Sequence, residues 1–132
     1  MPGMNVVLVK TEGYALEAEI EVDGVRLTVM DRISTVERAA EPGPVSDPKF
    51  DVVMREPRSW EQAFSGNPDR EKKLERQWGW RYLGYGRILA VDPVRVDLGV
   101  LVLALDSSVE GPRRGGEWVV IAIDRVVLSH AD

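Results

Sequence analysis

Side chains suited to binding are concentrated in one segment of this chain, between positions 70 and 87. Aromatic and cationic residues follow one another there at short spacing: Arg76, Trp78, Trp80, Arg81, Tyr82, Tyr85 and Arg87. Single-stranded nucleic acid is bound in cationic grooves where bases stack on aromatic rings, and these residues supply both. Tryptophan, tyrosine and arginine are also the residue types that anchor protein interfaces. A third interpretation is that the rings are buried in the core while the charges solvate its surface.

The remaining sequence offers few residues for catalysis or metal binding. Cysteine is absent, which excludes disulfides, thiolate nucleophiles and cysteine-ligated metals. His130 is the only histidine, so there is no histidine pair for zinc, and we expect this residue in an exposed tail. Gly84 and Gly86 lack the third glycine of a dinucleotide-binding pattern. The sequence therefore predicts no catalytic residue, no metal site and no cofactor, and it favours a protein without enzyme activity while an enzyme with no recognisable motif stays open.

Length and charge narrow the class of protein. At 132 residues the chain is expected to form a single domain over 1–132. The net charge of −5 argues against non-specific coating of nucleic acid or an anionic membrane, although basic residues outnumber acidic ones between Asp69 and Arg87. The sequence has no long apolar run and no secretory leader pattern, so we expect no membrane contact and a cytoplasmic location.

The clearest local pattern runs from Tyr14 to Asp31. Apolar residues alternate with glutamates, which indicates a strand with one buried and one solvent-exposed face. Asp23-Gly24 then supplies a two-residue turn of type I′. The predicted hairpin pairs Val22 with Val25, Ile20 with Leu27, Ala18 with Val29 and Glu21 with Arg26.

The middle of the chain is expected to be irregular and then helical. Positions 32–49 contain several prolines and predict a long surface loop, with capping-box spacing at Ser34 for one helical turn. Phe50 to Met54 predicts a short strand. Positions 58–78 predict a helical insertion of two short helices, the second starting at Asn67-Pro68 and ending near Gln77. The expected anchors of this insertion on the sheet are Trp60, Phe64, Leu74 and Trp78.

A central hairpin and a last strand complete the pattern. The hairpin is expected over 79–105, turning at Asp92-Pro93, with an interior strand from Leu98 onward because that run is apolar on both faces. Gly84 and Gly86 indicate either sheet curvature or a shallow trough for a flat ligand or a peptide. Positions 117–128 predict the final strand.

This order of elements predicts a mainly β domain, of α+β type because of its helical insertion. The expected architecture is a small antiparallel, partly open barrel of about six strands, with one or two short helices between the third strand and the central hairpin. The order is similar to the β-β-β-α-β-β order of the oligonucleotide/oligosaccharide-binding barrel, with one extra C-terminal strand. Another small antiparallel barrel, or a β-sandwich with a helical insertion, fits the same order.

Three functions stay open at this point. The absence of a catalytic set and the many adhesive side chains favour a non-catalytic binding or assembly module that makes protein–protein or self-association contacts. The first alternative is single-stranded nucleic-acid binding through positions 70–87, which the net charge disfavours. The second is a small-ligand-binding protein, or an enzyme with no recognisable catalytic motif.

Overall fold

The computed structural model describes residues 5–54, 66–91, 94–104 and 116–131. Ten strands form in these ranges: β1 (Val6–Thr11), β2 (Glu17–Val22), β3 (Val25–Asp31), β4 (Gly43–Pro44), β5 (Pro48–Met54), β6 (Lys73–Trp78), β7 (Arg81–Val91), β8 (Val94–Asp97), β9 (Val102–Ala104) and β10 (Trp118–His130). No helix occurs in the described part of the chain. The prediction of a mainly β protein is confirmed.

All ten strands belong to one mixed sheet that is not closed into a barrel. Its longest path is β4-β1-β2-β3-β10-β7-β8-β9, while β5 pairs with β10 and β6 pairs with β7. Most pairs are antiparallel, but β3 and β10 run parallel. The expected small antiparallel, partly open barrel of about six strands, similar to the oligonucleotide/oligosaccharide-binding barrel, is not confirmed. The long strand β10 connects the parts of the sheet, because β3, β5 and β7 all pair along it.

The β2–β3 hairpin has the predicted register. Val22 pairs with Val25, and the pairings of Ile20, Ala18 and Glu21 are also as expected. Asp23 and Gly24 both have positive φ values, of 47° and 86°, which a type I′ turn requires. Local alternation and one turn are sufficient to specify this element.

The second helix of the expected insertion at 58–78 is not formed. Residues Lys73–Trp78 instead make β6, which pairs with β7. Asn67 is buried and does not cap a helix: its Nδ2 donates to the carbonyl oxygens of Glu71 at 2.9 Å and Val119 at 3.1 Å. The pairing edge of β7 has thus overridden the local helical signals. The first expected helix, with Trp60 and Phe64, lies outside the described residues.

The interior strand expected from Leu98 onward is also absent. The chain turns between β8 and β9, with the N–H of Leu98 bonded to the carbonyl oxygen of Leu101 at 2.8 Å. Leu98 and Leu101 are both buried because a turn packed on the core hides both of its flanks. The apolar run therefore reflects burial of the turn residues Leu98 and Leu101 and of Leu103 in β9, whereas Val102 of β9 is exposed. The expected Asp92-Pro93 turn lies outside the described residues.

Gly84 and Gly86 face the core, and core groups occupy the space that a trough would need. A Cβ at Gly84 would lie 3.2 Å from atoms of Leu98, Ile121 and Ile123. A Cβ at Gly86 would lie 2.2 Å from the carbonyl oxygen of Asp97. The glycines therefore admit neighbouring protein groups, and no open trough lies over them.

The expected loop at 32–49 is held by one buried carboxylate. Asp31 accepts hydrogen bonds from the N–H groups of Ile33 and Ser34, both at 2.8 Å, and from the hydroxyls of Thr11 and Ser34. Ser34 in turn accepts the N–H of Ala40, so it does not cap a helix. The loop also contains β4 and the first residues of β5.

The expected last strand is confirmed in β10. It continues to His130, which is exposed and places its Nδ1 2.8 Å from the carbonyl oxygen of Ser46. In the ranges that the structure describes, no helix has the length and apolar character needed to cross a lipid bilayer.

Candidate functional site

The β6–β7 hairpin and β10 present one outer side of the sheet to solvent. Two-residue alternation along β7 turns Tyr82, Gly84 and Gly86 inward and leaves Arg81 and Tyr85 outward. Paired residues of neighbouring strands point to the same side of a sheet, so the residues of β6 and β10 that pair with Arg81 and Tyr85 also point outward. We call this surface the aromatic face and define it by its rings and cations: Lys72, Lys73, Trp78, Arg81, Tyr85, Arg87 and Trp118.

A cation is stacked on each ring of the aromatic face. The guanidinium carbon of Arg81 lies 5.1 Å from the ring centre of Trp78. Lys73 Nζ lies 4.7 Å from the ring centre of Tyr85. Trp118 has two such neighbours, Lys72 and Arg87, each at 5.9 Å. Contacts of this kind are worth about 0.5–1 kcal/mol each at exposed sites.

Trp78 is the most exposed ring of the aromatic face. Its relative exposure is 64%, although the sequence predicted a buried anchor. The residue ends β6 next to a two-residue turn, in which Gly79 has a φ of 53°. A type II′ turn places glycine at this first central position. Leu74, by contrast, is partly buried against the core, as expected.

Carboxylates balance the cations of the aromatic face. Lys72 is 2.8 Å from Asp97, and Arg81 is 3.1 Å from Asp124. Lys73 lies between Glu71 at 2.7 Å and Glu75 at 3.5 Å. The hydrogen bond from Lys72 lowers the pKa of Asp97, and the hydrogen bond to Glu71 raises the pKa of Lys73. The surface is therefore rich in charge but has little excess of either sign.

The structure separates the seven residues that the sequence grouped together. Trp78, Arg81, Tyr85 and Arg87 lie on the aromatic face. Trp80 is half-buried in the turn after β6. The two remaining residues of the predicted site point the other way: Tyr82 is 2% exposed in the core, and Arg76 lines two clefts on the inner side of β6.

Sequence reasoning missed one ring of this surface and two carboxylates that pair with its cations. Trp118 joins it because β10 pairs with β7, which brings Trp118 opposite Arg87. Asp97 and Asp124 join it as partners of Lys72 and Arg81. The apolar run of the final strand was the only local signal, because these pairings connect positions far apart in the sequence.

The larger of the two clefts lies between β3 and β6 and has a volume of about 660 Å³. We call it the β3–β6 cleft. Leu27 and Leu74 are among its apolar lining residues, and Arg26 and Arg76 are among its charged ones. The smaller cleft, of about 190 Å³, shares Arg76 with it.

No described residue has the arrangement of a catalytic acid, base or metal ligand. Burial by itself raises the pKa of the Asp31 carboxyl, but the hydrogen bonds from Ser34, Thr11 and Ile33 outweigh burial and lower the pKa. Asp31 thus stays ionised as a structural group. No cluster of three or more metal-ligating side chains is found within the described ranges.

Comparisons with known proteins found no match to this chain among protein-family models, curated proteins or solved structures. Function is therefore inferred from the geometry of the chain itself.

Proposed function

We propose that this protein is a non-catalytic assembly module that joins a second copy of itself through the aromatic face. The observation that carries the proposal is the 64% exposure of Trp78 with Arg81 stacked on its ring. Hot spots of protein interfaces are enriched in tryptophan, tyrosine and arginine. The aromatic face holds all three types on strands that fix their positions.

The charge balance of the aromatic face supports a protein partner over nucleic acid. A phosphate backbone is bound by surplus cations. Here Lys72, Lys73 and Arg81 already have carboxylate neighbours. A protein surface can match such alternating charges with its own, and paired charges around central rings are typical of an interface rim.

Sedimentation velocity over a wide concentration range tests this proposal. We expect reversible dimers of the wild-type protein, and Trp78→Ala should weaken the dimer by about 2 kcal/mol, which is about thirtyfold in Kd. Val36→Ala is the matched control, since Val36 is 82% exposed outside the aromatic face. A protein that remains monomeric at all concentrations, or equal effects of the two substitutions, would contradict the proposal.

The second candidate function is single-stranded nucleic-acid binding. It is favoured by the three rings that lie beside cations, at Trp78, Tyr85 and Trp118. If it holds, a thymidine oligonucleotide at low salt quenches tryptophan fluorescence, added salt reverses the change, and Trp78→Ala reduces it. Unchanged fluorescence with excess oligonucleotide would remove this candidate.

A further inference from the structure

The edge of β6 that faces away from β7 is open toward the β3–β6 cleft. Among the described residues, β6 pairs with β7 alone. Residues Lys72 to Leu74 and Arg76 line the cleft from this side. An open strand edge carries backbone N–H and C=O groups that can pair with another strand.

The register of β7 identifies which groups of β6 point into the cleft. Ile88 donates its N–H to Glu117 at 2.8 Å and accepts the N–H of Gly116 at 2.7 Å, so its backbone groups face β10. Backbone groups alternate in direction along a strand. Those of Leu83 and Tyr85 therefore face β6.

The direction of the backbone N–H and C=O groups alternates along β6 in the same way. Leu83 pairs with Glu75, and Tyr85 pairs with Lys73. Glu75 and Lys73 therefore use their backbone groups on β7, whereas those of Leu74 and Arg76 point away from it. Among the described residues, no hydrogen bond occupies the cleft-facing N–H and C=O groups of Leu74 and Arg76.

The opposite wall of the cleft is also a strand edge. Tyr82 Oη bonds both the N–H and the C=O of Thr28, which shows that these groups of β3 point away from β2. Arg26 lies two residues earlier, so its backbone groups point the same way. The floor between the two edges is apolar and includes Leu98 and Val100.

The charged residues that line the β3–β6 cleft indicate what kind of partner it binds. Four cations and two carboxylates line it: Arg26, Lys72, Lys73, Arg76, Glu19 and Asp23. Glu19 is already paired with Arg26 at 3.1 Å. Arg76 donates its Nε to the carbonyl oxygen of Gly79 at 2.8 Å, and within the described residues no carboxylate lies within 4 Å of its guanidinium. An incoming carboxylate is the group that Arg76 is suited to bind.

We propose that the β3–β6 cleft binds an extended peptide of a partner protein, one that carries an apolar and an acidic residue two positions apart. The peptide pairs with the cleft-facing groups of Leu74 and Arg76 as an added strand, which is a recurring mode of peptide recognition. Residues two apart point to the same side of a strand, so the apolar side chain lies on the floor beside Leu74 and the acidic side chain contacts Arg76. The cleft shares Lys72 and Lys73 with the aromatic face but none of its rings, because it uses the inner side and free edge of β6.

Amide hydrogen exchange measured by NMR tests the proposal. The probe is a seven-residue threonine peptide with blocked ends that carries valine and glutamate two positions apart, so that both point to the same side of the added strand. We expect it to slow exchange of the Leu74 and Arg76 N–H groups on the order of tenfold or more, since new ladder bonds protect them. A peptide with lysine in place of glutamate should give no protection. Unchanged exchange at a saturating concentration, or equal protection by the lysine peptide, would overturn the proposal.

Two further measurements separate strand addition from simple charge attraction. N-methylation of the peptide residues whose backbone groups face β6 removes their N–H donors and should abolish binding. N-methylation of the alternate residues should weaken binding less. Arg76→Glu should weaken binding on the order of tenfold or more, while Arg76→Lys retains most of it. Arg38→Glu makes the same charge change outside the cleft and is the matched control.

These outcomes are independent of the proposed dimer. Trp78→Ala should leave peptide affinity unchanged, because Trp78 does not line the cleft. Binding that Trp78→Ala abolishes would move the peptide to the aromatic face and would overturn the cleft proposal. Equal loss of affinity in Arg76→Glu and Arg38→Glu would also overturn it.

Discussion

The hydroxyl of Tyr82 accepts the N–H of Thr28 at 2.8 Å and donates to the carbonyl oxygen of the same residue at 3.1 Å. This contact ties β7 to β3, two strands that share no ladder. It satisfies both backbone groups of a buried residue on an open strand edge. Burial raises the pKa of Tyr82, although the hydrogen bonds with Thr28 and the charge of Arg76 act in the opposite direction.

Tyr82→Phe should lower the free energy of unfolding by about 2 kcal/mol, because it leaves two buried backbone groups without partners. Urea denaturation at pH 7 measures this. Tyr85→Phe is the control and should cost less than about 0.5 kcal/mol, since the ring of Tyr85 lies on the aromatic face. A raised folded pKa also means that the contribution of Tyr82 is present below about pH 10 and is lost as pH rises further. Equal losses in the two variants would contradict this assignment.

Gly86→Ala should destabilise the fold far more than Gly84→Ala. The added Cβ at Gly86 meets the backbone of Asp97 at 2.2 Å, and backbone cannot easily move. The Cβ at Gly84 meets only side-chain atoms at 3.2 Å. We expect about 3 kcal/mol for Gly86→Ala and about 1 kcal/mol for Gly84→Ala by thermal or urea unfolding. The reverse order would show that these strands pack differently.

The free energy of unfolding should depend on both the size and the charge of the side chain at position 67, which is asparagine in this protein. Asn67→Ala removes the donor that bridges Glu71 and Val119, and should cost about 2–3 kcal/mol. Asn67→Asp places a carboxylate against carbonyl oxygens. Its protonated form can donate one of the lost bonds, so this variant should become relatively more stable as pH falls toward 4. Unfolding measured from pH 7 to pH 4 against the wild-type protein checks this, and parallel curves would contradict it.

Asp31 should contribute to loss of stability in acid. Hydrogen bonds lower its folded pKa below the usual value near 4, so its contribution is present above about pH 4 and is lost as pH falls through the folded pKa. Asp31→Asn should be less stable at pH 7 and should show a weaker dependence on pH between 5 and about 3. Asp51→Asn, at an exposed position, is the control. An unchanged pH profile in Asp31→Asn would assign the acid sensitivity to other groups.

Elements that depend on neighbours in the sequence could be predicted. The β2–β3 hairpin has the expected register because alternating burial and the Asp23-Gly24 turn act over adjacent residues. The final strand was recognisable for the same reason, since its apolar residues favour β structure locally. The two β7 glycines were expected to mark either sheet curvature or a trough, and only the structure shows that they face inward with Leu98 and Asp97 in the space beside them.

Tertiary structure decided the state of β6 and the composition of the aromatic face. The segment after Asn67 has the start signals of a helix, but strand pairing with β7 and burial of the Asn67 amide outweigh this weak preference. Trp118 reaches the aromatic face only because β10 pairs with β7. The sequence alone determined which aromatic and cationic residues the chain has for binding. Which of them share a surface depended on long-range strand pairing, because side-chain direction follows from register and no local pattern encodes it.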